Sequence, residues 1–439
     1  MPDGLPQTRH IGTYLDPDAL RGATVIQGGA GTLGNEVFKH LVLLAVGHII
    51  LVDFDDVADH NLCRAPLLTV GRIHPETRGV PEKVHRLARL GRLMNPDVTI
   101  SAYLGAIEDL GVGLFRGVDL AFSCFDNRVA RFSLNRLCAE ADVPLVDAGL
   151  QVGYSNSCKG QVQLIRASSG GCYACTLAPA MRATLAKLAD RAAPCSDIDL
   201  SIIEAGGAPT SVLMSSIIGG LQAHEGAKIL SARRDVYRPG ESMLIDCDLT
   251  DSRHPALRRV SVPRALGCAF HDKPEDMAPA VRLEGRSDQL SLGALRTRAA
   301  SHFGVDAIDL ELPDELWRNY VCHQHPERPL EWGSRANQIR AWLVIERQRI
   351  RAQPLRLPAA LRSACGGAGC VAGLPRQMSA ETDFDNSHIY YAGLPDCPKT
   401  PRALGFPYGF EYKVWDVVGQ RALGAVTLAG DYTLFGLEQ

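Results

Sequence analysis

The chain has 439 residues, with 46% hydrophobic and 22% charged side chains and a formal net charge of −3. This composition excludes a disordered or collagen-like chain, and the near balance of charge argues against a nucleic-acid or membrane-surface partner. No apolar run is long enough to span a bilayer, and the first residues lack the pattern of a signal peptide. Thirteen cysteines without an export signal favour thiols and metal ligands over disulfides. We therefore expect a cytoplasmic protein.

The first 150 residues predict alternating strands and helices. Strands are predicted at 23–27, 48–53, 98–103, 119–125 and 144–148, and helices at 35–46, 82–94 and 129–141. This alternation predicts βαβ units and a Rossmann-like, doubly wound α/β fold with a mostly parallel sheet. Further on, we expect an antiparallel strand at 161–165, a connection at 177–201 and a long apolar helix at about 209–230. We expect one domain over residues 1–272 and a small α+β domain of uncertain role over residues 273–439.

A glycine-rich turn separates the first predicted strand from the first predicted helix. Gly29, Gly31 and Gly34 form a GxGxxG, and Asp53 ends the next strand. Glycines let phosphates approach backbone amides, and the helix N-terminus adds partial positive charge. An acid at the end of the second strand suits a ribose hydroxyl. The pattern predicts nucleotide binding, with a purely structural turn as the alternative, and it does not choose between NAD and ATP.

Polar residues further along the chain favour ATP. They are Asp55, Asn61, Arg64, Lys83, Asp126, Asn127 and Arg131. An enzyme that splits ATP must neutralise the phosphates and hold a magnesium ion, whereas hydride transfer needs no such array. Taken singly, Arg64 and Lys83 would more often be solvated charges, and Asp126 would more often be a helix cap.

Two knuckles of metal-ligand type lie about 90 residues apart. Cys172 and Cys175 form a CxxC, and Cys268 and His271 form a CxxH. Four such ligands make a closed tetrahedral site for structural Zn²⁺, with a redox pair or unliganded thiols as the alternatives. Three cysteines in apolar patterns are predicted to lie in the core: Cys124, Cys138 and Cys247. Candidates for a second metal site in the C-terminal region are Cys322, His325, Cys365, Cys370 and Cys397.

The order of these motifs resembles that of the E1-like activating enzymes over about residues 20–272. This family includes the ubiquitin-activating, molybdopterin-synthase-activating and thiamine-pathway adenylyltransferases. The shared order is GxGxxG, DxD, N-L-x-R, G-x-x-x-K, N-P, D-N, CxxC and a Q-A-x-E-x-x-K helix at 222–228. The resemblance implies an ATP-dependent adenylyltransferase that acts on the C-terminal glycine of a ubiquitin-like protein. The segment from Leu404 to Pro407 and Asp431 further resemble C-terminal extensions of some bacterial E1-like proteins.

The resemblance also implies roles for single residues. It assigns Asp53 to the ATP ribose, Asn61, Arg64 and Lys83 to the phosphates, and Asp126 to Mg²⁺. Cys63 and Ala65 stand where the family often has Asn and Gln. Arg9 is the candidate for an arginine that reaches the partner subunit's site in a homodimer. Cys195, in the crossover loop at about 176–208, is the candidate thioester cysteine for transfer to an E2-like protein.

Three alternatives to this function stay open. A sulfur-carrier-activating enzyme would use the same adenylate without needing Cys195. An NAD-dependent oxidoreductase would share the glycine turn, although Arg64, Lys83 and Asp126 would then have no role. A catalytically silent scaffold would bind a ubiquitin-like partner without using the ATP residues.

Overall fold

The computed structural model describes most of the chain. The described residues are 12, 14–152, 158–166, 170–189, 211–231, 243–248, 256–271, 279–322, 325–334, 378–380, 387–390, 392–417 and 421–437. They divide into two compact units. The first comprises Met1–Glu108, Phe115–Leu185 and Ala205–Pro274, and the second comprises Asp109–Leu114, Ala186–Glu204 and Glu275–Gln439. Among the described residues, no helix is long and apolar enough to cross a membrane.

An eight-stranded sheet forms the first unit. Its strands are β1 (Thr24–Gly28), β2 (His48–Asp53), β3 (Thr99–Leu104), β4 (Leu120–Ser123), β5 (Leu145–Val152), β6 (Cys158–Ile165), β7 (Met243–Asp248) and β8 (Ala256–Ser261), in the order β3-β2-β1-β4-β5-β6-β7-β8. The first five strands are parallel, and β6, β7 and β8 extend the sheet in antiparallel fashion. The predicted α/β fold with a mostly parallel sheet is confirmed, as is the antiparallel strand that follows β5.

Helices connect the strands and lie on both faces of this sheet. Among the described residues up to 274, the helices are α1 (Pro17–Gly22), α2 (Thr32–Leu43), α3 (Asp59–Leu62), α4 (Pro66–Ile73), α5 (Lys83–Met94), α6 (Val112–Phe115), α7 (Arg128–Ala141), α8 (Pro179–Ala189) and α9 (Val212–Leu230). Of these, α6 belongs mainly to the second unit. Helices α2, α5 and α9 contribute to one buried apolar cluster that includes Val146 of β5. The next residue, Asp147, points to the opposite face, because strand side chains alternate. There it meets Arg131 of α7.

Helix α8 differs from the sequence expectation. The segment was expected to be a connection, but Pro179–Ala189 is helical, with Leu185 buried. Proline suits the first helical position, and alanine, leucine and methionine favour helix. These propensities account for the helix.

From residue 275 onward, the described part of the second unit contains a mixed sheet and two helices. Its strands are β9 (Val281–Leu283), β10 (Ile308–Cys322), β11 (His325–Ser334), β12 (Met378–Ala380), β13 (Ser387–Tyr390), β14 (Tyr412–Asp416) and β15 (Arg421–Leu428), and its helices are α10 (Leu292–Phe303) and α11 (Ala429–Leu434). Apolar side chains from α10 and the sheet, including Leu295, Tyr390 and Val414, form its core. Buried Asp431 accepts hydrogen bonds from the N–H groups of Ser287 and Gly409.

Candidate functional site

The glycine turn between β1 and α2 contains three glycines of the motif. Backbone conformation or packing requires glycine at two of these positions, and the third could hold a side chain. Gly29 has φ +94°, and a Cβ on Gly34 would lie 2.1 Å from the Gly29 carbonyl oxygen. A Cβ on Gly31 would meet no atom within 4 Å, and its φ is −76°. The Gly31 position therefore borders free space beside the turn, which is where an approaching phosphate would need room.

Two buried amide side chains hold this turn in place. Gln27 Nε2 donates to the carbonyl oxygens of Gly29 and Gly34, both at 3.0 Å. Asn35 Nδ2 donates to the carbonyl oxygens of Ala30 at 3.1 Å and Gly31 at 2.9 Å. Neither residue is among the site residues predicted from the sequence. The available signal was an amide at the end of an apolar strand and another directly after the last glycine.

Asp53, at the end of β2, lies against the same turn. Its Oδ2 accepts a hydrogen bond from the N–H of Ala30 at 2.7 Å, and its Oδ1 accepts one from the N–H of Asp55 at 2.8 Å. Burial raises the pKa of Asp53 above its usual range, although these two hydrogen bonds and nearby Lys83 work in the opposite direction. The predicted ribose acid is therefore placed at the turn, next to its backbone amides.

Lys83 is the cation of the site. It begins α5, its side chain is buried, and its Nζ lies 2.9 Å from Asp55 Oδ2. Burial alone would lower the pKa of Lys83, but the carboxylates of Asp53, Asp55 and Asp126 raise it above its usual range. Lys83 is therefore charged at neutral pH; it pairs with Asp55 and also feels the charges of Asp53 and Asp126.

Asn61 and Arg64 lie on and after the short helix α3. Asn61 is buried, and its Oδ1 accepts a hydrogen bond from the N–H of Ala58 at 2.9 Å. Arg64 Nε is buried and has no hydrogen-bond partner among the described residues. Cys63, between them, is exposed. A buried guanidinium N–H without a partner favours an anionic ligand at this point.

The residues after β4 divide into one helix cap and one exposed acid. Asn127 caps α7, with its Oδ1 accepting from the N–H of Ala130 at 2.7 Å. Asp126 is exposed and does not cap the helix. The role of helix cap, which was the alternative for Asp126, belongs to Asn127. The nucleotide contact of Asn127 stays a prediction. Arg131 is not a free cation, since its Nε donates to Asp147 Oδ1 at 2.9 Å.

The two cysteine knuckles come together. The Sγ atom of Cys172 lies 3.8 Å from that of Cys175 and 3.7 Å from that of Cys268, and Cys175 Sγ lies 3.0 Å from His271 Nε2. All four ligand atoms lie within 4.8 Å of one another. Tetrahedral Zn²⁺ with Zn–S bonds of about 2.3 Å requires S–S separations of about 3.8 Å. The donor set and spacing therefore fit zinc.

Of the candidates for a second metal site, only Cys397 has a side chain within the part of the chain that the structure describes, so this site stays a prediction. Cys397 is buried, and the N–H of the same residue donates to the Tyr390 hydroxyl at 2.8 Å. Cys322 and His325 lie in β10 and β11, but their side chains are outside the described residues. Four other predicted residues lie outside the described part of the chain altogether: Arg9, Cys195, Cys365 and Cys370. Cys124, Cys138 and Cys247 are buried, as predicted.

The Q-A-x-E-x-x-K motif attaches α9 to the sheet. Gln222 Nε2 donates to the carbonyl oxygens of Ser123 at 3.0 Å and Val146 at 2.8 Å. Buried Glu225 accepts from Lys228 Nζ at 2.8 Å and from Arg259 at 3.1 Å. Gln222 thus fixes α9 to β4 and β5, and Glu225 joins it to Arg259 of β8, whereas the Lys228–Glu225 pair lies within the helix. These contacts give the motif a structural role.

Comparison with known proteins supports the resemblance drawn from the motifs. The model of the ThiF family matches residues 9–263, a range that includes all eight strands of the first sheet. The chain belongs to the ThiF family. The predicted membership of the E1-like adenylyltransferases is thereby confirmed.

Similar proteins include several activating enzymes. The ThiF-family chain is 31% identical over 161 residues to SUMO-activating enzyme subunit 2 of Dictyostelium discoideum, covering 36% of this chain and 22% of that protein. It is 30% identical over 179 residues to ubiquitin-like modifier-activating enzyme 5 of Bombyx mori, covering 38% and 43%. It is 33% identical over 157 residues to adenylyltransferase and sulfurtransferase MOCS3 of Mus musculus, covering 36% and 32%. The matched region spans less than half of each of these relatives.

Among solved structures, the ThiF-family chain is similar to E. coli MccB with ATP. The identity is 20%, the TM-score is 0.41, and the match covers 58% of this chain and 68% of that one.

Proposed function

We propose that this chain uses ATP and Mg²⁺ to adenylate the C-terminal glycine carboxylate of a ubiquitin-like protein. The observation that carries the proposal is the position of Lys83, a buried cation among three carboxylates beside the glycine turn. Arg64, with its unpartnered Nε, adds a second cation on the neighbouring segment. Membership of the ThiF family supports the same conclusion.

The residue types suit this chemistry. A C-terminal carboxylate has a pKa of about 3.5 and is ionised near neutral pH, so it needs no general base. Its oxygen forms a bond to the α-phosphorus of ATP as the bond to the bridging oxygen of pyrophosphate breaks, and the electron pair leaves with pyrophosphate. The protein must offset repulsion between anions and stabilise the leaving group. We assign this work to Arg64 and Lys83.

The remaining residues would hold the nucleotide and its ion. We assign the phosphates to the turn of Gly29, Gly31 and Gly34, with Asn61 beside it, and the ribose to Asp53. Asp126, with Asp55 nearby, would hold Mg²⁺, because carboxylate oxygens are the ligands that this ion prefers. When bound, Mg²⁺ would supply positive charge to the phosphate oxygens.

The test is ATP–pyrophosphate exchange with a ubiquitin-like partner. We expect exchange that depends on the partner and a loss of at least about 10²-fold in Lys83→Ala and in Asp126→Ala. Lys413→Ala is a matched control, since Lys413 pairs with Glu311 at 3.1 Å in the second unit. Exchange by Asp126→Ala that equals the wild type would contradict the assignment of magnesium to Asp126.

We propose a second step in which Cys195 takes the acyl group as a thioester for an E2-like protein. In this proposal the active form is a cytoplasmic homodimer, and Arg9 reaches the partner subunit's site. The competing proposal is activation of a sulfur carrier without a thioester, and the mouse relative, whose name includes sulfurtransferase, favours it. The two proposals share the adenylate and differ only in whether Cys195 is needed.

A further inference from the structure

Asn35 links the glycine turn to helix α4. Its side chain is buried, and its Nδ2 donates to the carbonyl oxygens of Ala30 and Gly31. On its other side, Asn35 Oδ1 accepts a hydrogen bond from the N–H of Leu68 at 3.2 Å. A single amide therefore holds the turn and the first part of α4 at a fixed separation.

Arg86 continues this link from α4 to the start of α5. Its Nη1 donates to the carbonyl oxygen of Leu68 at 3.4 Å, and its Nε and Nη2 donate to the carbonyl oxygen of Val80 at 3.0 and 2.5 Å. A Cβ on Gly71 would lie 2.7 Å from Arg86 Cδ, so α4 has a glycine where the arginine crosses it. Val80 is three residues before Lys83. Arg86 therefore fixes the backbone segment that leads into Lys83.

The hydrogen bonds of Arg86 go to backbone carbonyls. Its side chain is buried, and among the described residues no carboxylate forms an ion pair with it. The planar guanidinium can hold two carbonyl groups at once, which an ammonium group does less well. The glycine turn, Leu68 and Val80 thus lie on one continuous run of hydrogen bonds that passes through the N–H and the C=O of Leu68.

We propose that Asn35 and Arg86 are positioning residues that set the distance between the glycine turn and the Lys83 end of α5. The inference rests on the proposed function, because that function places the phosphates of ATP between the glycine turn and Lys83. Neither side chain contacts the nucleotide in this proposal. Both act through Leu68, so changing them should weaken the binding of the phosphates rather than the binding of the adenosine part of ATP.

The test compares ATP and AMP binding by titration calorimetry of folded wild type, Asn35→Ala, Arg86→Met and the double variant. We expect each single change to weaken ATP binding about tenfold, the scale of one lost buried hydrogen bond. AMP binding should change by less than about twofold, since AMP lacks the two outer phosphates. The double variant should lose less than the product of the single losses, because both residues act through one link. Arg86→Lys should recover part of the affinity.

Arg92→Met is the matched control. Arg92 lies on the same helix, and its Nη2 also donates to a backbone carbonyl oxygen, that of Ile100 at 2.5 Å, but it lies off this run. We expect unchanged ATP affinity in this variant. Should Arg86→Met fail to fold, Arg86→Lys and Asn35→Ala provide the same comparison.

Two results would overturn the positioning role: melting temperatures that fall while ATP affinity stays at the wild-type value, or ATP and AMP affinities that fall together. Wild-type protein that binds no ATP would instead remove the proposed function itself, and the positioning role with it.

Discussion

Gly31 and Gly34 lie three residues apart in one turn, yet a side chain at each would meet different surroundings. At Gly34 the added Cβ would approach the Gly29 carbonyl oxygen to 2.1 Å, whereas at Gly31 it would project into free space. Gly34 is therefore needed for the turn to fold, whereas Gly31 leaves room for a ligand to approach.

Alanine at these two positions should have opposite effects. We expect Gly34→Ala to lower the free energy of unfolding by about 1–3 kcal/mol, the usual cost of overpacking. Gly31→Ala should melt like the wild type but bind ATP more weakly, because its methyl group would occupy the space assigned to a phosphate. Thermal melts and nucleotide titrations of both variants check this. Equal ATP affinity in Gly31→Ala and the wild type would place the phosphates elsewhere.

The Lys83–Asp55 pair has a defined pH dependence. The carboxylates raise the Lys83 pKa above 10.5, so the stability that it contributes is complete below pH 10.5 and is lost only as the pH rises through the higher folded-state value. Lys83→Met should therefore lower the free energy of unfolding by the same amount at pH 7 and pH 9, on the order of 1–3 kcal/mol. Urea denaturation at the two pH values checks this, and a clearly smaller difference at pH 9 would contradict the raised pKa.

At the scale of elements, the cysteine knuckles join segments that are far apart in the chain. Cys172 and Cys175 follow β6, whereas Cys268 and His271 follow β8. Their ligand atoms meet on the side of α7, where Asn135 accepts a hydrogen bond from the N–H of Tyr173 at 3.0 Å. Metal binding at this point would couple the antiparallel half of the sheet to a helix of the parallel half.

We expect the purified, reduced protein to contain close to one zinc per chain. Since metal binding contributes to folding free energy, Cys172→Ser should lower the melting temperature, by about 6–12 °C for a loss of about 3 kcal/mol. Cys63→Ser, which changes an exposed thiol outside the cluster, should leave the zinc content unchanged. Elemental analysis measures the ratio. A zinc-free preparation would remove this site, and a ratio near two would support a second one.

The elements of the first unit were largely predictable because they are strongly periodic. Strand β2 has the predicted bounds, and the helix predicted at 82–94 begins at Lys83. The gathering of the four candidate zinc ligands also followed from their CxxC and CxxH pairs. Contacts between side chains and distant carbonyl groups were not predictable, since Gln222 finds partners at Ser123 and Val146 that only the folded chain brings close. For the same reason, the pairing of Arg131 with Asp147 was missed.

At the scale of the whole molecule, the family match covers only two short segments of the second unit, Asp109–Leu114 and Ala186–Glu204. The match ends at residue 263, before β9 begins the second sheet. The second unit has its own apolar core and its own buried hydrogen-bonded carboxylate, Asp431. The apolar core of the second unit therefore lies outside the matched residues.

The thioester proposal makes one prediction at this scale. Cys195→Ala should retain ATP–pyrophosphate exchange but form no reductant-sensitive adduct with the ubiquitin-like partner, because the adenylate forms before any thiol is acylated. A non-reducing gel of wild type and variant after incubation with ATP, Mg²⁺ and the partner checks this. An adduct that persists in the variant would move the nucleophile to another thiol, with Cys322 and Cys365 next to be tested. Complete turnover without Cys195 would favour sulfur-carrier activation.

The hydrogen bonds that hold the glycine turn should affect the rate at which a nucleotide binds. Gln27, Asn35 and Asp53 hold its carbonyl and amide groups through hydrogen bonds within the protein, so the entropy of ordering the turn is lost during folding rather than during binding. A nucleotide that meets this turn has no loop to rearrange. Its association in a stopped-flow experiment should be a single exponential whose rate rises linearly with nucleotide concentration. A rate that reaches a plateau would instead show that the turn must first open.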